Sequence, residues 1–132
     1  MPIFVDIAPA KRMVILRYAG LPTIEEWCET MRTVFDRPEY QHGFGFLLDR
    51  SRVPAPSPAY VRAAVTFLDQ HRSAVAGSRW AVVAGGPGTY SMFRMGQGLM
   101  VGQPVTSEVF DDLGAAEAWL REGHAGPPAS PS

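Results

Sequence analysis

The sequence has a single cysteine and no long apolar run, and each shortage excludes a class of protein. Cys28 has no second cysteine with which to form an internal disulfide, so a reducing cytoplasm is the expected compartment. The longest apolar runs span only a few residues, whereas a membrane-spanning helix needs about 20. The amino terminus has neither a basic segment nor a long apolar one, so we expect no signal peptide.

The chain also has almost no net charge and few histidines. Twelve basic and thirteen acidic residues leave a net charge of −1, which argues against a nucleic-acid partner because such proteins present a basic face. The three histidines and one cysteine have no metal-ligand spacing. His42 and His71 are expected at the amino ends of the strands, so no base stands beside Ser51, Ser57 or Cys28. We therefore predict no catalytic residue, no metal ligand and no cofactor.

The rest of the chain alternates between strand-like and helix-like segments. Apolar periodicity and turn residues predict strands at 3–8, 13–18, 44–49, 79–85 and 105–110, and helices at 23–36, 57–72, 89–100 and after 112. Thr23 and Glu26 have the spacing of a capping box at the start of the first helix. We expect one domain at 1–122, in β-β-α-β-α-β-α-β-α order, and a flexible tail rich in Pro, Gly and Ser at 123–132.

This order predicts an α/β fold built on one sheet. Strands that alternate with helices pair in parallel through right-handed crossovers, so we expect a mixed, mostly parallel five-stranded sheet with helices mainly on one face. Segments 44–49 and 79–85 are apolar at nearly every position, as in central strands that are covered on both faces. If helices cover only one face, the other face offers apolar surface to another subunit or to a ligand.

Five segments, taken in their order and spacing, carry a family resemblance. They are YAGLPTIEEW (18–27), LLDRSR (47–52), RWAVVAG (79–85), TYSMFRM (89–95) and EVFDDLGAAEAWL (108–120). Together they resemble the STAS-like fold of bacterial anti-sigma-factor antagonists, and most of all its small stand-alone bacterial relatives. The resemblance spans roughly residues 3–122. It implies a non-enzymatic module that binds a partner protein or a small ligand.

The segment from Pro56 to Pro58 departs from the family pattern. In the antagonists a strand ends in Asp, and an Asp-Ser-Ser-Gly motif presents a phosphorylatable serine at the next helix. Asp49 matches the strand-ending acid and Ser57 falls near the serine, but the motif is replaced by Pro56-Ser57-Pro58. Serine followed by proline is typical of a helix N-cap with Pro at the first helical position. We expect Ser57 to be a helix cap, with phosphorylation as the alternative.

The crevice beyond the carboxyl ends of the strands is the usual ligand site in open α/β sheets. The candidate ligand-binding residues that the sequence places there are Asp49, Arg50, Arg52, Ser57, Thr89, Tyr90 and Arg94. Arginine side chains and free amides at helix starts suit a carboxylate or a phosphate. The alternative is structural: a buried Arg94 pairs with Asp49, or Arg52 does so, and the pair holds the loops together.

The predicted helix at 89–100 carries more apolar side chains than one stripe accommodates. Candidate interface residues on it are Met92, Phe93, Met95 and Met100, with core packing as the alternative. We therefore predict a binding module that forms a homo-oligomer or docks a partner protein. The second hypothesis is a carrier or sensor of a small amphipathic or anionic ligand, whose carboxylate meets Arg50, Arg52 or Arg94.

Overall fold

The structure, a computed structural model that describes residues 3–99 and 105–125, is an α/β fold. Its described part contains one mixed sheet of five strands, together with five helices. The strands are β1 Ile3–Ala8, β2 Met13–Tyr18, β3 Gly45–Arg50, β4 Arg79–Ala84 and β5 Thr106–Phe110. The helices are α1 Ile24–Phe35, α2 Pro58–Gln70, α3 Arg72–Val75, α4 Pro87–Leu99 and α5 Leu113–Ala125. The predicted elements are all present, and the short α3 is an addition.

Most helices and strands begin or end one or two residues away from their predicted bounds; β3, for example, spans Gly45–Arg50 rather than 44–49. α4 begins at Pro87 rather than at 89, because proline fits the first turn of a helix. α5 continues through Ala125, three residues beyond the predicted domain boundary at 122, and the rest of the predicted tail, residues 126–132, lies outside the described residues. No helix within 3–99 and 105–125 combines the length and the apolar character that a bilayer crossing requires.

The strands lie in the sheet in the same order as in the chain. β1 pairs with β2 in antiparallel fashion, and β2, β3, β4 and β5 pair in parallel. Helices α1, α2, α3 and α4 lie in the connections between parallel strands, as expected for crossovers. The carboxyl ends of β2, β3, β4 and β5 therefore meet at one edge of the sheet.

One face of the sheet, which we call the main face, carries the larger core. On it Leu16, Phe46, Leu48, Trp80 and Val82 are buried and pack with side chains of α1, α2, α3 and α4. Aromatic contacts link neighbouring elements within each layer: the Phe46 and Trp80 rings of adjacent strands stack at 4.2 Å, and Trp27 of α1 meets Phe67 of α2 edge-on at 5.5 Å. The expectation that the crossover helices share one face is confirmed.

The opposite face of the sheet, which we call the second face, is covered by α5. Leu47, Ala81 and Val83 are 0–3% exposed beneath Ala116 and Leu120 of that helix. Arg79 also holds α5 in place: its Nη1 donates to the Trp119 carbonyl at 2.8 Å, and its guanidinium lies over the Trp119 ring. The apolar residues of β3 and β4 on this face are therefore core, and the idea that they await another subunit is wrong.

Local contacts fix the helix starts and the loop after β4. The capping box of α1 is confirmed, since the Glu26 amide donates to Thr23 Oγ1 at 3.0 Å and the Thr23 amide donates to Glu26 Oε1 at 2.8 Å. Asp112 caps α5 by accepting from the Ala115 amide at 2.8 Å. Gly85 follows the last residue of β4 and lies against the chain that leaves β3, so a Cβ at this position would lie 2.5 Å from the Ser51 carbonyl oxygen.

Candidate functional site

A cavity of about 80 Å³ lies between the main face of the sheet and helices α2 and α4. Its volume is several times the roughly 10–15 Å³ that a single water requires, so it has room for a small organic molecule. Leu48, Trp80 and Val82 form buried walls on the sheet side. Val65 of α2 and Phe93 of α4 are only half-buried, which places the accessible side of the cavity between these two helices.

Arg50, the last residue of β3, points into this cavity and is 1% exposed. Among the described residues no carboxylate lies within salt-bridge distance of it, and the residues outside 3–99 and 105–125 include no Asp or Glu. Its Nη2 donates to the Pro54 carbonyl at a long 3.3 Å, and its Nε has no hydrogen-bond partner in the described part of the chain. A buried cation without an anion is rare and costly in proteins.

Two aromatic rings hold the Arg50 guanidinium in place. Its Cζ lies 4.7 Å from the centroid of the Tyr18 ring and 5.4 Å from that of the Phe93 ring. Cation–π contacts of this kind contribute about 0.5–2 kcal/mol each, which offsets part of the desolvation cost. They do not satisfy the guanidinium N–H groups, because a ring face is not a hydrogen-bond acceptor of comparable strength. The side chain is thus oriented while Nε stays available as a donor.

The Tyr60 hydroxyl is the second unsatisfied polar group in the cavity lining. Its oxygen is buried and has no hydrogen-bond partner among the described residues. Burial raises the pKa of Tyr60, with the positive charge of Arg50 acting in the opposite direction, so the hydroxyl stays protonated at neutral pH. A protonated phenol is a hydrogen-bond donor, as is the guanidinium.

The indole N–H groups in the lining are already engaged. Trp27 Nε1 donates to the Tyr18 hydroxyl at 3.0 Å, and Trp80 Nε1 donates to Ser78 Oγ at 2.9 Å. Arg50 and Tyr60 are therefore the side chains in the described lining with a buried polar atom left unpaired. The cavity combines a positively charged, donor-rich region with apolar walls. That combination suits a ligand with an anionic group and an apolar body.

The predicted pairing of Asp49 with Arg94 or Arg52 is wrong. Asp49 accepts hydrogen bonds from the Ser51 amide at 3.1 Å and from Ser51 Oγ at 2.6 Å. Arg94 is 55% exposed rather than buried and forms a salt bridge to Glu108 of β5 at 3.3 Å. Adjacent strand residues point to opposite faces of a sheet, so Asp49 lies on the second face while Arg50 lies on the main face.

The other candidate ligand-binding residues do not converge on the cavity. Arg52 is exposed and borders a separate surface groove with Asp49, Arg17 and Phe4. Tyr90 is 39% exposed beside Gly86 and Asp111, and Thr89 is buried in the first turn of α4. Of the seven candidates only Arg50 lines the cavity, whereas Asp49 and Arg52 border one surface groove and Tyr90 borders another.

The candidate interface residues on α4 divide between core and surface. Phe93 packs against the main core and lines the cavity, whereas Met95 is 47% exposed. Met92 is half-buried, and Met100 lies outside the described residues. α4 is tied to β5 by Gln97, whose Nε2 donates to the Ser107 carbonyl at 2.7 Å. The apolar residues of α4 thus divide between the cavity wall, where Phe93 lies, and the protein surface, where Met95 lies.

Sequence reasoning missed Tyr60 as a site residue. A signal was present, because Tyr60 lies four residues before Ala64 and so extends the apolar stripe of α2 by one turn toward its start. A tyrosine on the inward stripe of a helix brings a hydroxyl that needs a partner. Trp27 of α1 packs in the core and also lines the cavity.

Ser57 is the N-cap of α2, as expected from its sequence context. Its Oγ accepts from the Tyr60 amide at 3.1 Å, and Pro58 occupies the first helical position. The same bond fixes the turn that carries Tyr60 toward the cavity. Phosphorylation of Ser57 is not tested by this geometry and stays the alternative.

We expect Ser57→Ala to lower the free energy of unfolding by about 1 kcal/mol, because the Tyr60 amide loses its acceptor. Ser57→Asp should retain stability, since aspartate is an equally good cap and its charge favours a helix amino terminus. Chemical denaturation followed by circular dichroism measures both. Ser91→Ala, at an exposed position within α4, is the control and should cost nothing. Equal stability of Ser57→Ala and wild type would contradict the cap assignment.

Cys28 and His71 are of residue types that often act in catalysis, and the structure places each in a local environment that does not suggest such a role. Burial raises the pKa of the Cys28 thiol, which lowers its thiolate fraction at neutral pH. His71 Nδ1 lies 2.9 Å from the Phe67 carbonyl oxygen, and its ring stacks on Phe67. Across 3–99 and 105–125, no three His, Cys, Asp or Glu side chains gather as a metal site would need. The expectation of a protein without enzymatic activity or cofactor stays a prediction.

Comparison with known proteins leaves the family open. No family model matches the chain, and a search of curated proteins finds no match either. The resemblance to the STAS-like fold therefore rests on the five segments named above and on the order of the elements.

Proposed function

We propose that this chain is a non-catalytic binding protein, a carrier or sensor, for a small amphipathic anion held in the cavity between the sheet and helices α2 and α4. The observation that carries the proposal is the burial of Arg50 at 1% exposure without a carboxylate partner. A bound anion would supply the missing charge, and the apolar walls would take the rest of the ligand. The site lies inside the layer between sheet and helices, and not in the open crevice.

A purely structural role for Arg50 does not explain why a buried arginine lacks a carboxylate partner, whereas ligand binding does. A fold that needed only volume at this position would be served by leucine or methionine, which carry no desolvation cost. A structural ion pair would place a carboxylate beside the guanidinium, and the carboxylates of the described chain lie elsewhere. The unpaired Tyr60 hydroxyl in the same cavity strengthens the argument, because two orphaned donors share one space.

The broader proposal is a STAS-like, cytoplasmic binding module. The element order on which the resemblance rests supports the STAS-like part, and the single cysteine supports the compartment. Self-association or docking of a partner protein belongs to the same proposal. Met95 and Tyr90 of α4 support this part of the proposal, because they are large apolar side chains that are exposed and available for contact.

The proposed function is tested by ligand detection and by thermal shift. Native mass spectrometry of freshly purified protein should show a copurifying small anion. After denaturation and refolding to remove it, valerate, laurate and butyl phosphate serve as amphipathic anions of different size and charge, and pentanol serves as the uncharged match to valerate. At least one anion should raise the melting temperature. At 100 times Kd the stabilisation is about 2.7 kcal/mol, worth roughly 3–5 °C for each kcal/mol in a chain of this size.

Pentanol should give a much smaller shift, because it leaves the charge of Arg50 uncompensated. The proposal fails if no anion of the panel shifts the melting temperature and no small molecule copurifies. It also fails if pentanol stabilises the protein as much as the anions do, since the cavity would then be a purely apolar space.

A further inference from the structure

We propose that the ligand of this cavity is a monocarboxylic acid with a short apolar tail, and that the cavity discriminates against dianions and against polar tails. The inference rests on the proposed function and specifies the chemical class of its ligand. Three features of the lining carry it: the number of charges, the position of free donors and the volume of the apolar part.

The number of charges favours a monoanion. Arg50 is the single charged residue in the described lining, and it carries one positive charge. A monocarboxylate neutralises that charge. A dicarboxylate or an alkyl phosphate dianion brings a second negative charge that would be buried without a cation, and an unpaired buried charge is strongly unfavourable.

The position of the free donors favours a planar carboxylate. Nε of Arg50 and the hydroxyl of Tyr60 are the orphaned polar atoms, and both belong to one cavity. A carboxylate has two oxygens, so one can accept from the guanidinium while the other accepts from the phenol. The contacts of the Arg50 guanidinium with the Tyr18 and Phe93 rings limit the orientations from which it can donate. We assign the head of the ligand to this pair.

The remaining walls favour a short tail without polar groups. Beyond Arg50 and Tyr60 the lining is mostly apolar, with Leu48, Val82 and Leu68 and two indoles whose N–H groups are already bonded, and Ser107 of β5 is a further polar residue in it. A hydroxyl or ammonium group on a tail that lies against Leu48, Val82 and Leu68 would find no partner among those side chains and would lose its hydration. The cavity volume of about 80 Å³ buries a tail of only a few carbons, so a longer acyl chain would extend out between α2 and α4 and gain little further burial.

The test measures affinities of matched acids for the refolded, ligand-free full chain by isothermal titration calorimetry. Valerate is compared with glutarate, which adds a second carboxylate to the same carbon chain, and with butyl phosphate. Isocaproate is compared with leucine, which adds an ammonium group to the same skeleton. Laurate reports on tail length. We expect valerate and isocaproate to bind at least tenfold more tightly than glutarate, butyl phosphate and leucine, and no less tightly than laurate.

A pair of tyrosine variants tests the assignment of the head group. Tyr60→Phe removes the orphaned hydroxyl and should weaken valerate binding about tenfold, because a hydrogen bond to a charged group is lost. Tyr40→Phe is the matched control: its hydroxyl donates to the Ala74 carbonyl and lies outside the cavity lining, so valerate binding should be unchanged. Equal valerate affinity of Tyr60→Phe and wild type would overturn the assignment of Tyr60.

The outcomes separate the two levels of the proposal. If butyl phosphate or glutarate binds as tightly as valerate, the monoanion inference is wrong while the proposed function stands. If laurate binds tenfold more tightly than valerate, the short tail is wrong and the proposed function again stands. If leucine matches isocaproate, the requirement for an apolar tail is wrong. If no anion binds at all, the proposed function itself has failed.

Discussion

Replacing Arg50 with methionine is expected to leave the free energy of unfolding within about 1 kcal/mol of wild type, or to raise it, while valerate binding weakens at least 30-fold. Methionine keeps most of the volume and removes a buried charge whose desolvation costs several kcal/mol. The loss of two cation–π contacts, about 0.5–2 kcal/mol each, offsets much of that gain. Truncating one partner of a buried charge pair costs about 2–5 kcal/mol of binding energy, which sets the expected loss of affinity.

Arg52→Met is the matched control for Arg50→Met. Arg52 lies two positions further along the chain, is exposed and does not line the cavity, so both stability and valerate binding should stay at wild-type values. Urea denaturation measures the free energy of unfolding of each variant, and calorimetry measures its affinity for valerate. If Arg50→Met lost more than about 2 kcal/mol of stability, Arg50 would be a structural residue and its lack of an anion would need another explanation.

Gly85→Ala is expected to lower the free energy of unfolding by about 2–3 kcal/mol, which is in the range of overpacked sites. The added Cβ would lie 2.5 Å from the Ser51 carbonyl oxygen and 3.2 Å from that of Arg50. Both are backbone atoms, so relief requires a shift of the chain leaving β3 and not only a side-chain rotation. Because Arg50 ends β3, we also expect weaker valerate binding in this variant. Urea denaturation and calorimetry measure the two effects.

Gly86→Ala is the neighbouring control. A Cβ at Gly86 meets no atom within 4 Å, and the residue has no positive φ, so alanine should change stability by less than about 1 kcal/mol in either direction. Equal stability of the Gly85 and Gly86 variants would show that the β3 and β4 ends do not approach each other as closely as described.

The fold was predictable from the sequence because its boundaries carry local signals. Thr23 with Glu26, Ser57 with Pro58, and Asp112 each mark a helix start by chemistry that acts within three or four residues. The position of α5 was not predictable in this way. The crossover rule fixes the side of a helix that connects two parallel strands, but α5 follows the last strand of the described sheet and is free of that constraint.

The candidate site was predictable in part. Alternation along β3 places Asp49 and Arg50 on opposite faces, but it does not say which of the two faces the helices that form the cavity. The partner of Arg94 depends on the reach of Glu108 from β5, a contact between residues 14 positions apart. Which exposed charged residues form a salt bridge depends on distances in the folded structure, and the composition of the sequence does not give those distances. The sequence therefore indicates the residue types at the site, and the packing of α2 and α4 selects Arg50 and Tyr60 among them.

The sequential strand order and the placement of α5 matter while the chain is being synthesised. Because the chain emerges amino terminus first, each parallel strand can join the edge left by the strand before it. α5 emerges after all five strands, so Leu47, Ala81 and Val83 have no cover until then. A nascent chain that stalls before Leu113 presents an apolar sheet face to chaperones and to other nascent chains. The packing of α5 against β3 and β4 thus covers the apolar surface that such a chain would expose.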